Sequence, residues 1–195
     1  NVKLHLSLPN EFKLISECGC DQISFNGIGK CFIAVAMPKD PTYISESFPT
    51  TMIYTLKDNE SSKSSLEDQY QVDNTELVVS DHFEPIIINH FEKKWEDISE
   101  EHEAEETCAL DNYNSLKEAA DIIVNLVGLS VHNQTDQIDT KSKYHRILLS
   151  GKYRTDCLVL AKVDLKIDRG PGILLKMTIR CDDPNITQNI FSVLS

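Results

Sequence analysis

The chain lacks any long apolar run, and no hydrophobic stretch approaches the roughly 18 residues that a membrane-spanning helix needs. It also lacks the charged, then apolar, then small-residue pattern of a signal peptide. Six cysteines in 195 residues are too few for a disulfide scaffold, and four of them lie in apolar runs, which suits free thiols. These absences favour a reduced, cytosolic protein. Sequons beginning at Asn59, Asn133 and Asn185 leave a secreted β-rich protein as an alternative.

Catalytic and metal-binding motifs are also absent from the sequence. Residues 27–30 (GIGK) fail as a phosphate loop, because Ser24 replaces the first glycine and Cys31 replaces the hydroxyl residue. No two histidines have H-E-x-x-H spacing and no two cysteines have C-x-x-C spacing, so we expect no metal and no cofactor. We expect a non-catalytic protein. An uncharacterised enzyme with a Cys–His pair stays open, because such pairs meet in space rather than in sequence.

Acidic residues outnumber basic ones, and the resulting net charge of −12 disfavours nucleic acid as a partner. The charge is unevenly divided along the chain. Residues 84–112 hold ten acids and two bases, whereas residues 141–180 hold ten bases and three acids. Two solvated faces are the simpler interpretation. The functional interpretation is a basic sheet that meets an acidic partner or a membrane-associated ligand.

Residues 1–79 carry the short segments that are typical of β-strands, at residues 2–6, 31–37 and 51–56. The nearly continuous apolar run at 31–37 (CFIAVAM) predicts an inner strand of a β-sandwich. Residues 58–68 are polar and rich in serine, which predicts an exposed loop. Because a strand pattern starts at Val2, we expect a fragment that is cut inside a sheet.

Residues 80–195 mix helical and strand patterns. Pro85 suits the first turn of a helix, and four apolar residues then recur on one helical face: Ile88, Phe91, Trp95 and Ile98. A second helix is predicted at 115–129, capped by Ser115 and ended by Gly128. Strands are predicted at 107–110, 144–153, 157–167 and 173–181, with a last helix at 184–194. This half should be an antiparallel sheet with helices packed on it.

Trp95 is the only tryptophan, and two interpretations compete for it. Its place on the helical stripe predicts a buried ring. Alternatively, the ring lies at the edge of the core and forms the wall of a shallow peptide pocket, since aromatic side chains are common hot spots of interaction surfaces.

Several segments resemble, in order and spacing, the appendage (ear) of coatomer gamma subunits in the COPI vesicle coat. They are residues 1–2, 33–41, 81–82, 89–98, 105–107, 115–129 and 145–154. The resemblance implies an α+β architecture, with an incomplete N-terminal β-sandwich subdomain (1–79) followed by an α/β platform subdomain (80–195). Appendages of clathrin adaptor large subunits share this fold, so such an appendage is the alternative assignment.

The resemblance further implies recruitment of coat accessory proteins, notably an Arf GTPase-activating protein, during Golgi–ER transport. Other coatomer subunits would be partners through the parent chain. The protein would be cytoplasmic and peripheral on Golgi and COPI vesicle membranes, which it would reach indirectly through the coat. The family's binding patch falls on Trp95, with Phe91 beside it, and its basic positions match Arg154 and Lys162. We expect a partly exposed Trp95 ring, so that Trp95→Ala would reduce binding and leave the fold intact.

Overall fold

The computed structural model describes residues 1–24, 26–40, 43–57, 65–154, 157–167 and 172–194. The chain divides into two compact units, Asn1–Leu77 and Val78–Ser195. This division lies two residues from the predicted boundary between 79 and 80. The assignment of the first unit to a sandwich and of the second to a platform stays a prediction.

The described part of the first unit forms two antiparallel sheets. Strands β1, β4 and β5 form one sheet in that order, and β2 pairs with β3 in the other. The strands are β1 (Val2–Leu6), β2 (Lys13–Cys18), β3 (Phe32–Ala36), β4 (Glu46–Lys57) and β5 (Ser65–Leu77).

The apolar run at 31–37 does form a strand, but its predicted inner position is wrong. Every residue of β3 is exposed or half-buried, and Phe32 is 65% exposed. The reason is that β3 pairs with β2 in a sheet of two strands within the described residues. The apolar run at 31–37 therefore predicted a strand correctly but did not predict its burial.

The predicted loop at 58–68 is wrong at its C-terminal end, because residues 65–68 open the 13-residue strand β5. Residues 58–64 lie outside the described residues. Strand β5 is polar and almost wholly exposed, and it is held by pairing along the length of β4. A bond of 2.9 Å between the hydroxyls of Thr50 and Thr75 supports that pairing. Without an apolar alternation, the sequence carries no period-2 signal for such a strand.

The second unit is built on a six-stranded antiparallel sheet of order β6-β9-β10-β11-β7, with β8 paired to β9. Its strands are β6 (Phe83–Pro85), β7 (Glu103–Leu110), β8 (Ser130–Val131), β9 (Tyr144–Tyr153), β10 (Cys157–Ile167) and β11 (Ile173–Cys181). Its α-helices are α1 (Phe91–Asp97), α2 (Leu116–Val127) and α3 (Pro184–Phe191), and 3-10 turns lie at Val79–His82 and Glu100–His102. The described structure is thus mostly β-sheet with three α-helices.

The strong patterns of this half are confirmed. Strands β9, β10 and β11 have their predicted bounds. Helix α2 begins after Ser115, whose Oγ accepts the Glu118 N–H at 3.4 Å, and it ends at Gly128 with φ at 73°. The helix predicted to begin near Pro85 is wrong in its start, because Pro85 lies in β6 opposite Gly151 and α1 begins only at Phe91.

The central strands alternate between two faces of the sheet, as period 2 requires. One face carries the fully buried core residues of β9, β10 and β11, against which α2 and α3 pack. They include Ile147, Leu149, Val159, Val163, Leu165, Leu175, Met177 and Ile179. On the opposite face, Leu160 of β10 packs against α1. Of the described α-helices, α1 packs on this second face, which also carries charged side chains of β10 and β11.

Replacement of Gly128 at the end of α2 should destabilise the protein. The Gly128 φ of 73° disfavours other residues, and a Cβ would lie 2.6 Å from the Ser80 Cβ. We expect Gly128→Ala to lower the free energy of unfolding by about 1–3 kcal/mol, measured by urea denaturation followed through Trp95 fluorescence. Asn125→Ala, at an exposed position of the same helix, is the control and should cost less than about 0.5 kcal/mol. Equal losses in the two variants would refute this account.

Candidate peptide-binding site around Trp95

Helix α1 sets two aromatic rings against the outer face of the sheet. Phe91 and Trp95 are four residues apart, so they lie on one side of the helix, and their rings stack with centroids 5.9 Å apart. Together with Ile98 they pack on the fully buried Leu160. We call these four residues the Trp95 cluster; half-buried Ile88, Leu148 and Leu158 border it.

The Trp95 ring is buried, and the expectation of a partly exposed ring is wrong. Trp95 is only 6% exposed, as its position on the helical stripe predicted. The reason is that α1 stays over the sheet instead of running past its edge. The side chains of Lys162 on β10 and Arg180 on β11 also lie against the ring. Of the two cationic side chains, that of Lys162 is the more exposed, at 16% against 8% for Arg180.

Lys162, to which the family resemblance pointed, lies beside the cluster, and its role in binding stays a prediction. It lies two residues after Leu160 on β10 and so on the same face. Its Nζ is 4.3 Å from the centroid of the Trp95 ring and 5.9 Å from that of Phe91, within the range of cation–π attraction. The same Nζ donates to the Glu92 carboxylate at 2.8 Å. The Lys162 side chain is 16% exposed and that of Glu92 is 66% exposed, so this ion pair forms the solvent side of the cluster.

Arg180 is the residue that sequence reasoning missed. Its guanidinium lies 4.9 Å from the Trp95 ring centroid, and Nη1 donates to the carbonyl oxygens of Trp95 at 2.8 Å and Ile98 at 3.1 Å. Its Nε donates to the Glu103 carboxylate at 2.8 Å. An available signal was alternation along β11, since Arg180 stands directly opposite Leu160 in the sheet. The side chain is almost wholly buried and ties the end of α1 to β11.

Arg154 lies outside the Trp95 cluster. It follows the end of β9 with φ at 47°, four residues after Ser150, which pairs with Leu160. Four strand residues span about 13 Å. The contacts of Arg154 include His82, whose Nδ1 accepts its Nε–H at 3.3 Å, and the Tyr153 ring, 5.1 Å from its guanidinium. The predicted role of Arg154 in binding stays a prediction.

Residues 80–194 match the family model of the coatomer subunit gamma-1 C-terminal appendage platform. The chain belongs to this family. It is similar to coatomer subunit gamma of Drosophila melanogaster (26% identical, covering 100% of this chain and 23% of the relative). It is also similar to coatomer subunit gamma-2 of Danio rerio (29%, 98% and 22%) and coatomer subunit gamma-1 of Rattus norvegicus (29%, 79% and 18%). The chain thus spans about a fifth of the length of these curated relatives, and the resemblance seen in its sequence is confirmed.

The acidic and basic segments of this appendage platform pair with each other. Three carboxylates from residues 84–112 reach three cations on the strands, in the pairs Glu92–Lys162, Glu103–Arg180 and Glu105–Lys176, at 2.7–2.8 Å. Neither interpretation drawn from the sequence foresaw this internal neutralisation. Any acidic partner would have to compete with these carboxylates for the same cations.

A separate network crosses β9 and β10 on the same face. Arg146 donates two hydrogen bonds to the carboxylate of Asp164, at 2.6 and 2.7 Å, and the Tyr144 hydroxyl donates a third at 2.6 Å. Burial acts to raise the pKa of Asp164, but the bonds from Arg146 and Tyr144 outweigh it and lower that pKa. These three side chains link β9 to β10 across the sheet.

Within the described residues, no three His, Cys, Asp or Glu side chains are placed to hold one metal ion. None of the described helices is both long and apolar enough to cross a membrane.

Removal of the Trp95 side chain should destabilise the platform, contrary to the expectation from sequence. We expect Trp95→Ala to lower the free energy of unfolding by about 3–5 kcal/mol, because a large buried ring is lost from the cluster. The measurement is urea denaturation followed by circular dichroism. Tyr144→Ala, which removes a half-exposed ring from β9, should cost about 1 kcal/mol. Unfolding of Trp95→Ala at the wild-type midpoint would show that the ring is exposed in solution.

Proposed function

We propose that the chain is a non-catalytic, protein-interaction appendage of the COPI coat. It recruits accessory proteins, such as an Arf GTPase-activating protein, during Golgi–ER vesicle transport. The family match over residues 80–194 carries this proposal. Under this proposal, the parent chain assembles with other coatomer subunits in the cytoplasm and reaches Golgi and vesicle membranes through the coat. The two-subdomain architecture, an N-terminal sandwich followed by a C-terminal platform, is part of the same proposal.

The binding mechanism that we infer starts at the Glu92–Lys162 pair. Glu92 is largely exposed and can move into solvent, whereas Lys162 is held against the Trp95 ring at 4.3 Å. A ligand carboxylate takes the place of Glu92 on Lys162. An apolar ligand side chain then packs on the half-buried border of the cluster, at Leu148, Leu158 and Ile88. Trp95 acts as the floor that positions the ammonium group.

Phe91 and Arg154 have supporting roles in this proposal. Phe91 is buried beside Trp95 and lies within 5.9 Å of the Lys162 ammonium, so it extends the aromatic floor. Arg154 lies at the far end of β9 and steers an acidic flank of the ligand rather than its anchor. A single such contact should bind in the micromolar range, with occupancy raised by many coat copies on one membrane.

The direct test is a titration of the chain with the non-catalytic region of an Arf GTPase-activating protein that lacks tryptophan. We expect a saturable change in the fluorescence of Trp95, because the ligand alters the cation beside the ring. Lys162→Met should weaken binding by about tenfold, since one charge-assisted contact of ~1.4 kcal/mol is lost. Lys166→Met, four residues along the same strand and exposed, is the matched control and should bind as wild type does. Equal binding by both variants would exclude Lys162, and no binding by the wild type would remove the proposal.

Glu92→Gln should strengthen binding of the same ligand. The substitution removes the carboxylate that competes for Lys162, and an exposed ion pair is worth about 0.5–1 kcal/mol, which corresponds to roughly two- to fivefold in affinity. Glu96→Gln removes the same charge from the same helix without altering the Glu92–Lys162 pair, so it isolates competition from general electrostatics. Isothermal titration of both variants measures the effect. An equal gain in the two variants would mean that net charge, not competition, controls affinity.

A further inference from the structure

Two cysteine thiols lie in contact at one end of the sheet, on the face opposite α1. The Sγ atoms of Cys157 and Cys181 are 3.3 Å apart. Cys157 opens β10 and Cys181 closes β11. Cys181 stands opposite Val159, so Cys157 is its diagonal neighbour on the same side of the sheet. The two thiols are therefore held together by paired strands rather than by a loop.

The two thiols differ in their access to solvent. Cys181 is 1% exposed, whereas Cys157 is half-buried. Burial raises the pKa of the Cys181 thiol far above its usual value, so this sulfur stays protonated at neutral pH. A dissolved oxidant consequently meets Cys157 first, with Cys181 waiting directly beside it.

We propose that Cys157 and Cys181 form an oxidisable dithiol site, which a hydroperoxide converts into an intramolecular disulfide. The Cys157 thiol gives up its proton and its sulfur attacks an oxygen of hydrogen peroxide; the O–O bond breaks, Cys157 becomes a sulfenic acid, and the departing hydroxide takes up the released proton and leaves as water. The Cys181 sulfur then attacks the sulfenic sulfur, the S–O bond breaks, and hydroxide leaves with the Cys181 proton as a second water. Two thiols lose two electrons in total, and one hydrogen peroxide is reduced to two waters.

The geometry suits this second step. A disulfide holds its sulfur atoms about 2.05 Å apart, so the two Sγ atoms need to approach by about 1.3 Å. The bond would link the start of β10 to the end of β11, just before α3 begins at Pro184. Because it closes a long loop in the unfolded chain, it should raise the Tm by several degrees. The site lies on the face opposite the Trp95 cluster and is independent of the function proposed above.

The test is mass spectrometry of the whole chain after treatment with hydrogen peroxide and alkylation of the remaining thiols. Trypsin cuts after Arg154, Lys162 and Arg180, so the expected disulfide joins residues 155–162 to residues 181–195. This linked peptide should form before sulfinic acid appears at Cys18, an exposed thiol, and dithiothreitol should reverse it. If Cys157 is instead recovered as free thiol or sulfinic acid at doses that oxidise Cys18, the proposal is overturned.

Three variants separate the steps. Cys181→Ser removes the second thiol, so the Cys157 sulfenic acid should accumulate and react with dimedone. Cys157→Ser should leave Cys181 reduced and abolish the peroxide-induced rise in Tm. Cys108→Ser, on β7, is the matched control and should leave the linked peptide unchanged. Oxidation of Cys181 at an unchanged rate in Cys157→Ser would overturn the assigned order, and this variant decides the point even if Cys181→Ser fails to fold.

Discussion

The placement of α1 depends on the hydrogen bonds that the buried guanidinium of Arg180 donates to the end of this helix. A helix of seven residues makes few internal hydrogen bonds and leaves its last carbonyls without partners. Arg180 donates to two of these carbonyls, on Trp95 and Ile98, and its remaining charge is met by Glu103 at the start of β7. The Arg180 side chain thereby provides hydrogen bonds to the carbonyls at the end of α1, pairs with a carboxylate of β7, and lies against the Trp95 ring. The cluster above the sheet follows from that anchoring.

The same arrangement explains why a chain with two oppositely charged segments need not carry two charged surfaces. In the acidic segment, α1 packs over the basic strands and β7 pairs beside β11, so that carboxylates from both reach the cations there. Arg180 is buried and donates to two main-chain carbonyls, whereas the Lys162–Glu92 pair faces solvent. Under the proposed function, this difference in the exposure of the two cations leaves Lys162, rather than Arg180, to meet a ligand.

Much of the second unit could be predicted because its signals are local. The strand segments at 144–153, 157–167 and 173–181 were predicted with the bounds of β9–β11, and Ser115 and Gly128 marked the ends of α2. The errors arose where long-range pairing decides: Pro85 sits in a strand because β9 lies beside it, and polar β5 exists because β4 does. At the site, the helical stripe predicted a buried Trp95 and the family resemblance pointed to Lys162, but the contact with Arg180, which lies 85 residues from Trp95 in sequence, is long-range and was missed.

The alternation of β10 between two covered faces also limits how the chain can vary in length. Adding or removing one residue within this strand would exchange Leu160 and Lys162 with Ala161 and Val163, sending a cation into the core and apolar groups under α1. Such a change cannot be absorbed by the strand, since both of its neighbours are paired along most of its length. Insertions and deletions in descendants of this sequence should therefore accumulate in the connections before and after β10, while the strand keeps its length.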